Sequence, residues 1–309
     1  MTATLTTTQT VDAVPGQKKT RKKVPSVGWM IGAAWLITLT FCAFFADYLP
    51  FIRTYDAKVL VDGRAKKYGL GPGWTAWLGT DNSSHDVFAR CIYGARQTLI
   101  IGIGATIIGL VVGGLLGVLG GYYRGWADRG VSIFVDCLLA MPALLLALLL
   151  IQRSDQIKDS ITWLGWLTRT QEIMITLGIL SIAPFARIVR AQTLALRERD
   201  FVLAARSIGA KNRRVIWREI MPNLVPAMVT VAVTGLGLLI AAEGTLAFFG
   251  LGVERPQTWG KMIDASRDDL AKAWWAAIFP CLFLFLTVIS FNFIGDRLAR
   301  KFDIREAAI

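Results

Sequence analysis

Few residues in this sequence could carry out acid–base, nucleophilic or metal chemistry, and they lie far apart. There is one histidine, His85, and there are four cysteines: Cys42, Cys137 and Cys281 within apolar stretches and Cys91 in a polar segment. One imidazole does not build a metal site, and the cysteine spacings match neither zinc sites nor thioredoxin-like motifs. We therefore expect a solvated loop histidine, four unpaired structural cysteines and no metal site.

Catalytic sequence motifs are missing as well. The chain has no HExxH, no GxSxG and no GxxxxGK[ST] phosphate loop. An intramembrane enzyme would need a clustered nucleophile and base or a metal constellation. The sequence thus argues against an enzyme, and any ATP hydrolysis that serves this protein must belong to another chain.

Two acidic residues, Asp136 and Glu243, lie near the ends of apolar stretches. An acid within a membrane is a candidate for a transport role. The other interpretation of Asp136 is that water or a partner such as Arg129 satisfies it near the membrane surface. One class of protein to consider is a stand-alone secondary transporter or channel. Such proteins usually bury several ionisable groups at mid-membrane, and only Asp136 and Glu243 qualify here.

The segment with the most functional information is polar and runs from Arg187 to Pro226. Residues 194–207 contain good helix formers, Gly209 can adopt the left-handed conformation that ends a helix, and 211–220 can form a second helix before Pro222. We predict a helix-glycine-helix element outside the membrane.

Small and apolar side chains are spaced along the first of these helices. Ala204 and Ala205 would allow another protein to approach closely, while Phe201 and Ile208 offer apolar contacts beside them. The pattern predicts a compact docking surface.

The remaining sequence is typical of a membrane protein that positions this element. It is 54% hydrophobic with a mean hydropathy of +0.50, and a spanning helix needs about 20 mostly apolar residues. A short glycine-rich run at 244–253 is predicted to be re-entrant or interfacial. The predicted six spans are 27–45, 98–121, 131–151, 173–186 (extended past Arg187), 224–242 and 274–294.

Basic residues predict the orientation. Lys and Arg exceed Asp and Glu by 34 to 22 and cluster at the ends of apolar stretches, where lipid headgroups and the positive-inside rule account for them without nucleic acid. The run KKTRKK at 18–23 precedes the first span as an uncleaved anchor. Both termini are expected in the cytoplasm, with loops 46–97, 152–172 and 243–273 outside.

The predicted division of the chain follows from these segments. It comprises a polar basic tail (1–26), a first span with an external loop (27–97), a membrane-spanning core that includes the polar loop at 187–222 (98–297), and a cytoplasmic tail (298–309).

The second predicted span carries small residues at every fourth position. They drift slowly around one helical face, so another helix can approach that face closely. We expect packing within the chain, with a seam between subunits as the alternative. The ladder consists of Ala105, Gly109, Gly113, Gly117 and Gly121.

The polar segment resembles the cytoplasmic alanine-alanine, glycine and proline pattern of permease subunits in bacterial binding-protein-dependent ABC importers. The matching residues are Ala204, Ala205, Gly209 and Pro222. Leu203 departs from this pattern, because a glutamate usually precedes the two alanines. In that family this loop docks in a groove on the ATPase subunit. The resemblance therefore implies that the coupling residues of this chain are Phe201, Ala204, Ala205, Ile208, Gly209 and Pro222. Any salt bridge from the usual glutamate is missing here or supplied elsewhere, whereas docking by shape would survive.

Three further stretches are similar to the dipeptide, oligopeptide and nickel branch, and within it to the smaller, C-type permease. They are 78–96 (in which Ser84 replaces a usual glycine), 247–263 and 291–305, and the resemblance extends over about residues 24–305.

The resemblance implies an all-α membrane protein with six transmembrane helices and the type I ABC importer permease architecture, in the bacterial inner membrane. It also implies a second homologous permease as heterodimer partner, two ATPase subunits that bind ATP and Mg, and an external substrate-binding protein. No cofactor is expected in this chain. Peptide is the expected solute, with nickel or another small solute left open.

Overall fold

The computed structural model describes residues 27–65, 70–160 and 167–306, and they fold into helices without any named β-strand. The basic anchor predicted at 18–23 lies outside these residues. The α-helices are α1 (Val27–Phe44), α2 (Val87–Ile108), α3 (Gly114–Tyr123), α4 (Gly125–Ala140), α5 (Ala143–Ser160), α6 (Arg169–Arg197), α7 (Asp200–Ser207), α8 (Asn212–Arg214), α9 (Met221–Leu246), α10 (Trp259–Ser266), α11 (Leu270–Ala273) and α12 (Trp275–Glu306).

Five helical stretches in the described residues are long and apolar enough to cross a membrane, and a bent pair brings the number to six if it is counted as one span. Segments of π-type hydrogen bonding join α2 to α3 and α8 to α9. The five stretches are 27–44, 87–123, 169–197, 212–251 and 275–302. The multi-span all-α fold predicted from the sequence is confirmed.

The predicted third span at 131–151 is wrong as a single straight helix. It is divided between α4 and α5, which meet at an angle of 92°. The break falls at Met141, whose backbone is extended (φ −84°, ψ 133°) immediately before Pro142. The ring of a proline disfavours the helical conformation of the preceding residue, and this explains the position of the break.

Two spans begin earlier than their apolar residues indicate, because polar side chains cap them. The Asp86 carboxylate accepts hydrogen bonds from the Phe88 and Ala89 amides, so α2 starts eleven residues before the predicted start at 98. Thr168 and Gln171 form a capping box that starts α6. Hydropathy identifies the apolar middle of a helix, whereas its first turn is fixed by the cap.

The helix predicted to end before Pro222 instead continues through it into the next span. Hydrogen bonding is π-type over Val215–Ile220, directly upstream of the proline, and Pro222 lies in the first turn of α9. A proline is tolerated there because its missing N–H falls where helix hydrogen bonding has already changed. The predicted second loop helix and the predicted fifth span are therefore one continuous helix, 212–251.

The glycine-rich run at 244–253 is not a separate re-entrant segment. Its first residues complete α9, and the helix ends where Gly250 adopts a left-handed backbone (φ +82°). Glycine has no Cβ, so it reverses the chain here at little cost.

The ladder of small residues on α2 and α3 faces α6. A Cβ built on Gly117 would lie 2.7 Å from the Ala186 carbonyl oxygen, and one on Gly121 would lie 2.7 Å from the Thr193 Cβ. A Cβ built on Gly113 would lie 2.5 Å from the Ile182 carbonyl oxygen. The two helices approach as closely as they do only because these positions have no side chain.

The loop before α2 encloses a buried polar cluster, and here two sequence expectations are wrong. His85 is 6% exposed and packs beside Asp81, so it is no solvated loop histidine. Cys91 is fully buried within α2 and does not lie in a polar loop. All four cysteines are free, as expected. The cause of the first two errors is the same, since the cap at Asp86 extends the helix and folds the preceding loop against it.

Hydrogen bonds and ion pairs join this loop to distant segments. The Arg90 guanidinium lies 2.7 Å from the Asp81 carboxylate and also donates to the Gln257 side chain at 3.2 Å. The Trp275 indole donates to the Thr80 carbonyl oxygen at 3.0 Å. The loop is thus tied to α2, to the segment before α10 and to the start of α12.

Burial shifts the pKa of two groups in the cluster. It lowers the pKa of His85, with the positive charge of Arg90 as the second cause. It raises the pKa of the Asp86 carboxyl, despite the two amide hydrogen bonds that favour the charged form.

Candidate functional site

The candidate site is the helix-glycine-helix element between α6 and α9, and we refer to residues 200–214 as the knob. Its first helix, α7, follows α6 after a two-residue link. It ends at Gly209, which has φ +83°, the left-handed conformation expected from the sequence. The Gly209 amide donates to the Arg206 carbonyl at 2.9 Å and the Ala210 amide to the Ala205 carbonyl at 3.1 Å, which closes the turn.

The knob has its own small core. Val202 is fully buried with Tyr122, Val215 and Ile220, and Ala205 packs against this group. The knob is therefore held against the end of α3 and the start of the long helix 212–251. Sequence reasoning missed Val202, although its position between Phe201 and Leu203 on an amphipathic helix was the available signal.

Apolar side chains remain exposed on the other side of α7. Phe201, Ala204 and Ile208 follow one another at spacings of three and four residues, which places them on one helical stripe. Phe201 and Ala204 are exposed, and Ile208 is 83% exposed. Within the described residues no other element covers the stripe, which leaves an apolar surface on the outside of the knob.

The other predicted coupling residues lie elsewhere. Ala205 is half-buried and turned toward the knob's own core, so it supports the stripe and is not part of it. Pro222 is exposed on α9, beyond the knob. Leu203 is 46% exposed on α7, so the position of the glutamate usual in this motif is accessible on the surface.

A polar network around Tyr122 anchors the knob. The Tyr122 hydroxyl donates to the Asn212 side-chain oxygen at 2.8 Å. The guanidinium of Arg206 lies 5.0 Å from the centre of the Tyr122 ring, and that of Arg197 lies 5.9 Å from it. Arg124 and Glu198 form an ion pair at 2.6 Å nearby. Residues of α3, α6, α7 and α8 thus meet at one tyrosine, which the sequence did not reveal.

The acidic residue that pairs at this end of the bundle is Asp128, not Asp136. Arg190 on α6 donates two hydrogen bonds to the Asp128 carboxylate on α4, one of them at 2.9 Å. Asp136 is exposed, and its expected partner Arg129 instead stacks over Trp126 at 5.5 Å. The carboxylate of Asp136 is therefore available at the surface of the chain, on the broken span.

Glu243 on α9 is fully buried. Its oxygens approach the Thr258 hydroxyl without a hydrogen bond of ordinary geometry, and no ion pair reaches it within the described residues. Thr258 caps α10, so this carboxyl lies where the segment after α9 packs back onto the bundle.

Comparisons with known proteins agree with this arrangement. Residues 99–305 match the family model described as binding-protein-dependent transport system inner membrane component. The chain is 36% identical over 270 residues to the glutathione transport system permease protein GsiD of Pectobacterium atrosepticum (87% of this chain, 84% of that protein). It is also 36% identical over 234 residues to the dipeptide transport system permease protein DppC of Alkalihalophilus pseudofirmus (75% and 73%).

Solved structures support the fold alone. The inward-facing MetNI methionine ABC transporter aligns with a TM-score of 0.56 at 20% identity, over 71% of this chain and 99% of that chain. An amino acid ABC transporter crystallised with histidines aligns with a TM-score of 0.52 at 16% identity, over 69% and 94%. With the family match over most of the bundle and relatives similar along most of their length, this chain belongs to the binding-protein-dependent transport system inner membrane components, the membrane-embedded permease subunits of ABC importers.

Proposed function

We propose that the protein forms half of the translocation pathway of an ATP-driven importer for peptide-type solutes, such as a dipeptide or glutathione. The observation that carries the proposal is the exposed apolar stripe of Phe201, Ala204 and Ile208 on the knob. Such a stripe, without a partner in the chain, suits the groove of another subunit. The peptide-type solute rests on the names of the GsiD and DppC relatives, and nickel or another small solute is the alternative.

The proposed assembly contains a second, homologous permease, two ATPase subunits and an external binding protein. ATP and Mg would be bound by the ATPases, and this chain would do no catalysis. Both termini would lie in the cytoplasm together with the knob, because basic residues are concentrated in the knob region and in the last turns of α12.

The knob would couple ATP hydrolysis to the membrane helices by mechanical linkage. On one side α7 is joined to α6 by a two-residue link, and on the other side the knob continues into the helix 212–251. Closure of the ATPases would shift the knob, and both spans would follow because the Val202 core holds them together. Coupling requires that the ATPases bind the knob differently in their two states.

Reconstitution of the whole transporter tests the proposal. The protein would be expressed with its genomic neighbours, purified and placed in vesicles with the binding protein and candidate dipeptides or glutathione. We expect the ATPases to copurify and solute uptake to require ATP. Replacing Ile208 by Asp should separate the ATPases from the permease, because a charge on the stripe would be desolvated on docking.

A second variant controls for the general effect of removing an exposed apolar side chain. Leu149 is 52% exposed on α5, away from the knob, and its replacement by Ser should leave ATPase binding intact. Uptake driven by an ion gradient alone, in a preparation free of ATPase, would refute the proposal.

A further inference from the structure

A basic hollow opens where the knob passes into the helix 212–251, apart from the apolar stripe. It has a volume of about 710 Å³ and is lined by Lys211, Arg213, Arg214, Trp217 and Arg218. The hollow therefore combines four cationic side chains with one indole, and no acidic residue lines it. The hollow is shallow and open to solvent, so it suits a charged group that lies on the surface of the protein.

The four cations have no acidic partner within the described residues. Ion pairs elsewhere in the chain use other arginines, such as Arg190 with Asp128 and Arg124 with Glu198. Lys211, Arg213, Arg214 and Arg218 are all exposed. Four like charges around one hollow repel each other, and an anion between them would relieve that repulsion.

The helical positions place the indole beside the cations. Trp217 follows Arg213 and Arg214 by four and three residues, so its side chain lies on the same face of the helix, about one turn further along. It is 58% exposed. The same helix runs on to residue 251 as a stretch long and apolar enough to cross a membrane, so this turn lies at the polar end of that stretch. Tryptophan is enriched at such ends of spanning helices, at the level of the lipid headgroups.

We propose that this hollow binds the headgroup of an anionic phospholipid, with the arginines on the phosphate and Trp217 at the boundary with the acyl chains. Guanidinium groups form paired hydrogen bonds with phosphate oxygens. Basic clusters at the cytoplasmic end of a span attract anionic lipid by about 1 kcal/mol per Lys or Arg. The proposal relies on the cytoplasmic placement proposed above, but not on the solute or on ATPase docking.

An ATPase is the other partner that such a charged surface could contact. The observations favour lipid, since the hollow flanks the first turns of a span and contains an interfacial indole, whereas the exposed stripe for a protein partner lies on α7. A lipid at this position would brace the junction between the knob and the span.

Quenching of Trp217 by brominated lipid tests the proposal. The assembled transporter in mixed micelles would be titrated with brominated phosphatidylglycerol or brominated phosphatidylcholine of the same acyl chains. The Trp217 signal is the difference between the wild type and the Trp217→Phe variant, because the chain has other tryptophans. We expect phosphatidylglycerol to quench Trp217 at about a tenfold lower mole fraction than phosphatidylcholine.

Two charge variants locate the effect. Arg213→Gln with Arg214→Gln should abolish the preference for phosphatidylglycerol. Arg187→Gln with Arg199→Gln removes the same charge from exposed positions outside the hollow and should leave the preference unchanged.

Three results would overturn the proposal. Equal quenching by the two lipids in the wild type would mean that the hollow does not select anionic headgroups. Displacement of the brominated lipid by soluble glycerol 3-phosphate at equal concentration would indicate a site for free phosphates. Loss of the ATPases from the Arg213→Gln, Arg214→Gln variant, with lipid quenching unchanged, would identify the hollow as a subunit contact.

Discussion

At the scale of single residues, the backbone of Gly209 determines how the knob turns. Its φ is +83°, and a Cβ built there would meet no atom within 4 Å, so only the backbone conformation restricts this position. A substitution therefore tests the turn itself without the complication of a steric clash.

We predict that Gly209→Val lowers solute uptake strongly while membrane insertion stays normal. A β-branched residue disfavours the left-handed conformation by at least ~1 kcal/mol, which shifts α7 and its stripe. Gly209→Asn should retain most of the uptake, because asparagine tolerates this conformation. The readout is uptake and ATP hydrolysis in vesicles at matched protein amounts. Gly130→Val is the control, since a Cβ on Gly130 also meets no atom within 4 Å but Gly130 has no positive φ. Equal uptake by Gly209→Val, Gly209→Asn and Gly130→Val would contradict the prediction.

Ala205→Arg is expected to act differently from Gly209→Val, because Ala205 packs toward the core around Val202. An arginine would have to leave that core and push α7 away from the start of the helix 212–251. We predict lower thermal stability as well as lost uptake. A variant that keeps its melting temperature and loses only the ATPases would show that Ala205 faces the partner subunit instead.

His85 gives the protein a predicted pH dependence of stability. Burial lowers the pKa of His85 below the usual 6.5, and the positive charges of Arg90 and Lys58 lower it further. The Asp81 carboxylate acts in the opposite direction. The unfolded chain therefore binds the proton more readily than the folded one. The stabilising contribution is complete above pH 6.5 and is lost as the pH falls from there toward the folded pKa.

We expect the melting temperature of the wild type in detergent to fall between pH 7.5 and 5.5, and that of His85→Gln to change less. His85 is the only histidine of the chain, so no other imidazole contributes in this range. Asp86 has the opposite effect on stability. Because its pKa is raised, the folded protein takes up this proton more readily than the unfolded chain, so protonation of Asp86 favours the folded state as the pH falls further. His85→Gln retains this contribution of Asp86. Parallel pH profiles for the two proteins would contradict the assignment.

At the scale of elements, the contact between α2–α3 and α6 depends on the absence of side chains. Gly117 and Gly121 each leave room for the backbone of α6 and nothing more. Helix association in a membrane lacks a hydrophobic driving force, so such close packing carries much of the stability of the bundle.

We predict that Gly117→Leu destabilises the bundle by about 1–3 kcal/mol, the usual cost of overpacking, and reduces assembly with the partner subunits. Gly130→Leu on α4 is the matched control, since a Cβ there meets no atom within 4 Å. Thermal unfolding in detergent and the yield of intact complex measure both. Equal melting temperatures for the two variants would mean that α3 and α6 separate at no cost.

At the scale of the whole molecule, Arg90 joins parts of the chain that are remote in sequence. Asp81 precedes α2, Arg90 lies within it, and Gln257 comes before α10. Asp81 and Arg90 are both less than a tenth exposed, so removal of one partner leaves a buried charge uncompensated.

We predict that Arg90→Gln destabilises the protein by about 3–5 kcal/mol, with the double change Asp81→Asn, Arg90→Gln less damaging than the sum of the single changes. Arg53→Gln is the comparison, because Arg53 is half exposed and lies 3.7 Å from Asp86; its loss should cost about 1 kcal/mol or less. Melting temperatures of the wild type, Asp81→Asn, Arg90→Gln, the double variant and Arg53→Gln decide, and strict additivity of the two single changes would exclude a coupled pair.

The sequence by itself determined the class of the protein and the presence of a helix-glycine-helix element outside its spans. Long apolar runs must be helices that satisfy their own backbone in a membrane, and Gly209 between two helix-forming segments must allow a turn. These features are local, because they depend on residues close together in the chain, and they were predicted correctly.

The tertiary structure alone decided the angle of the broken span and which residues face inward. The cap at Asp86 and the break before Pro142 are set by neighbouring residues, whereas the angle of 92° between α4 and α5 depends on how these helices pack against the bundle. His85 is buried where its backbone pairs with that of Lys58, and Val202 is buried against Tyr122 from a different helix. Such contacts join residues far apart in sequence, and no local periodicity encodes them, because side-chain burial is fixed only when separate elements pack together.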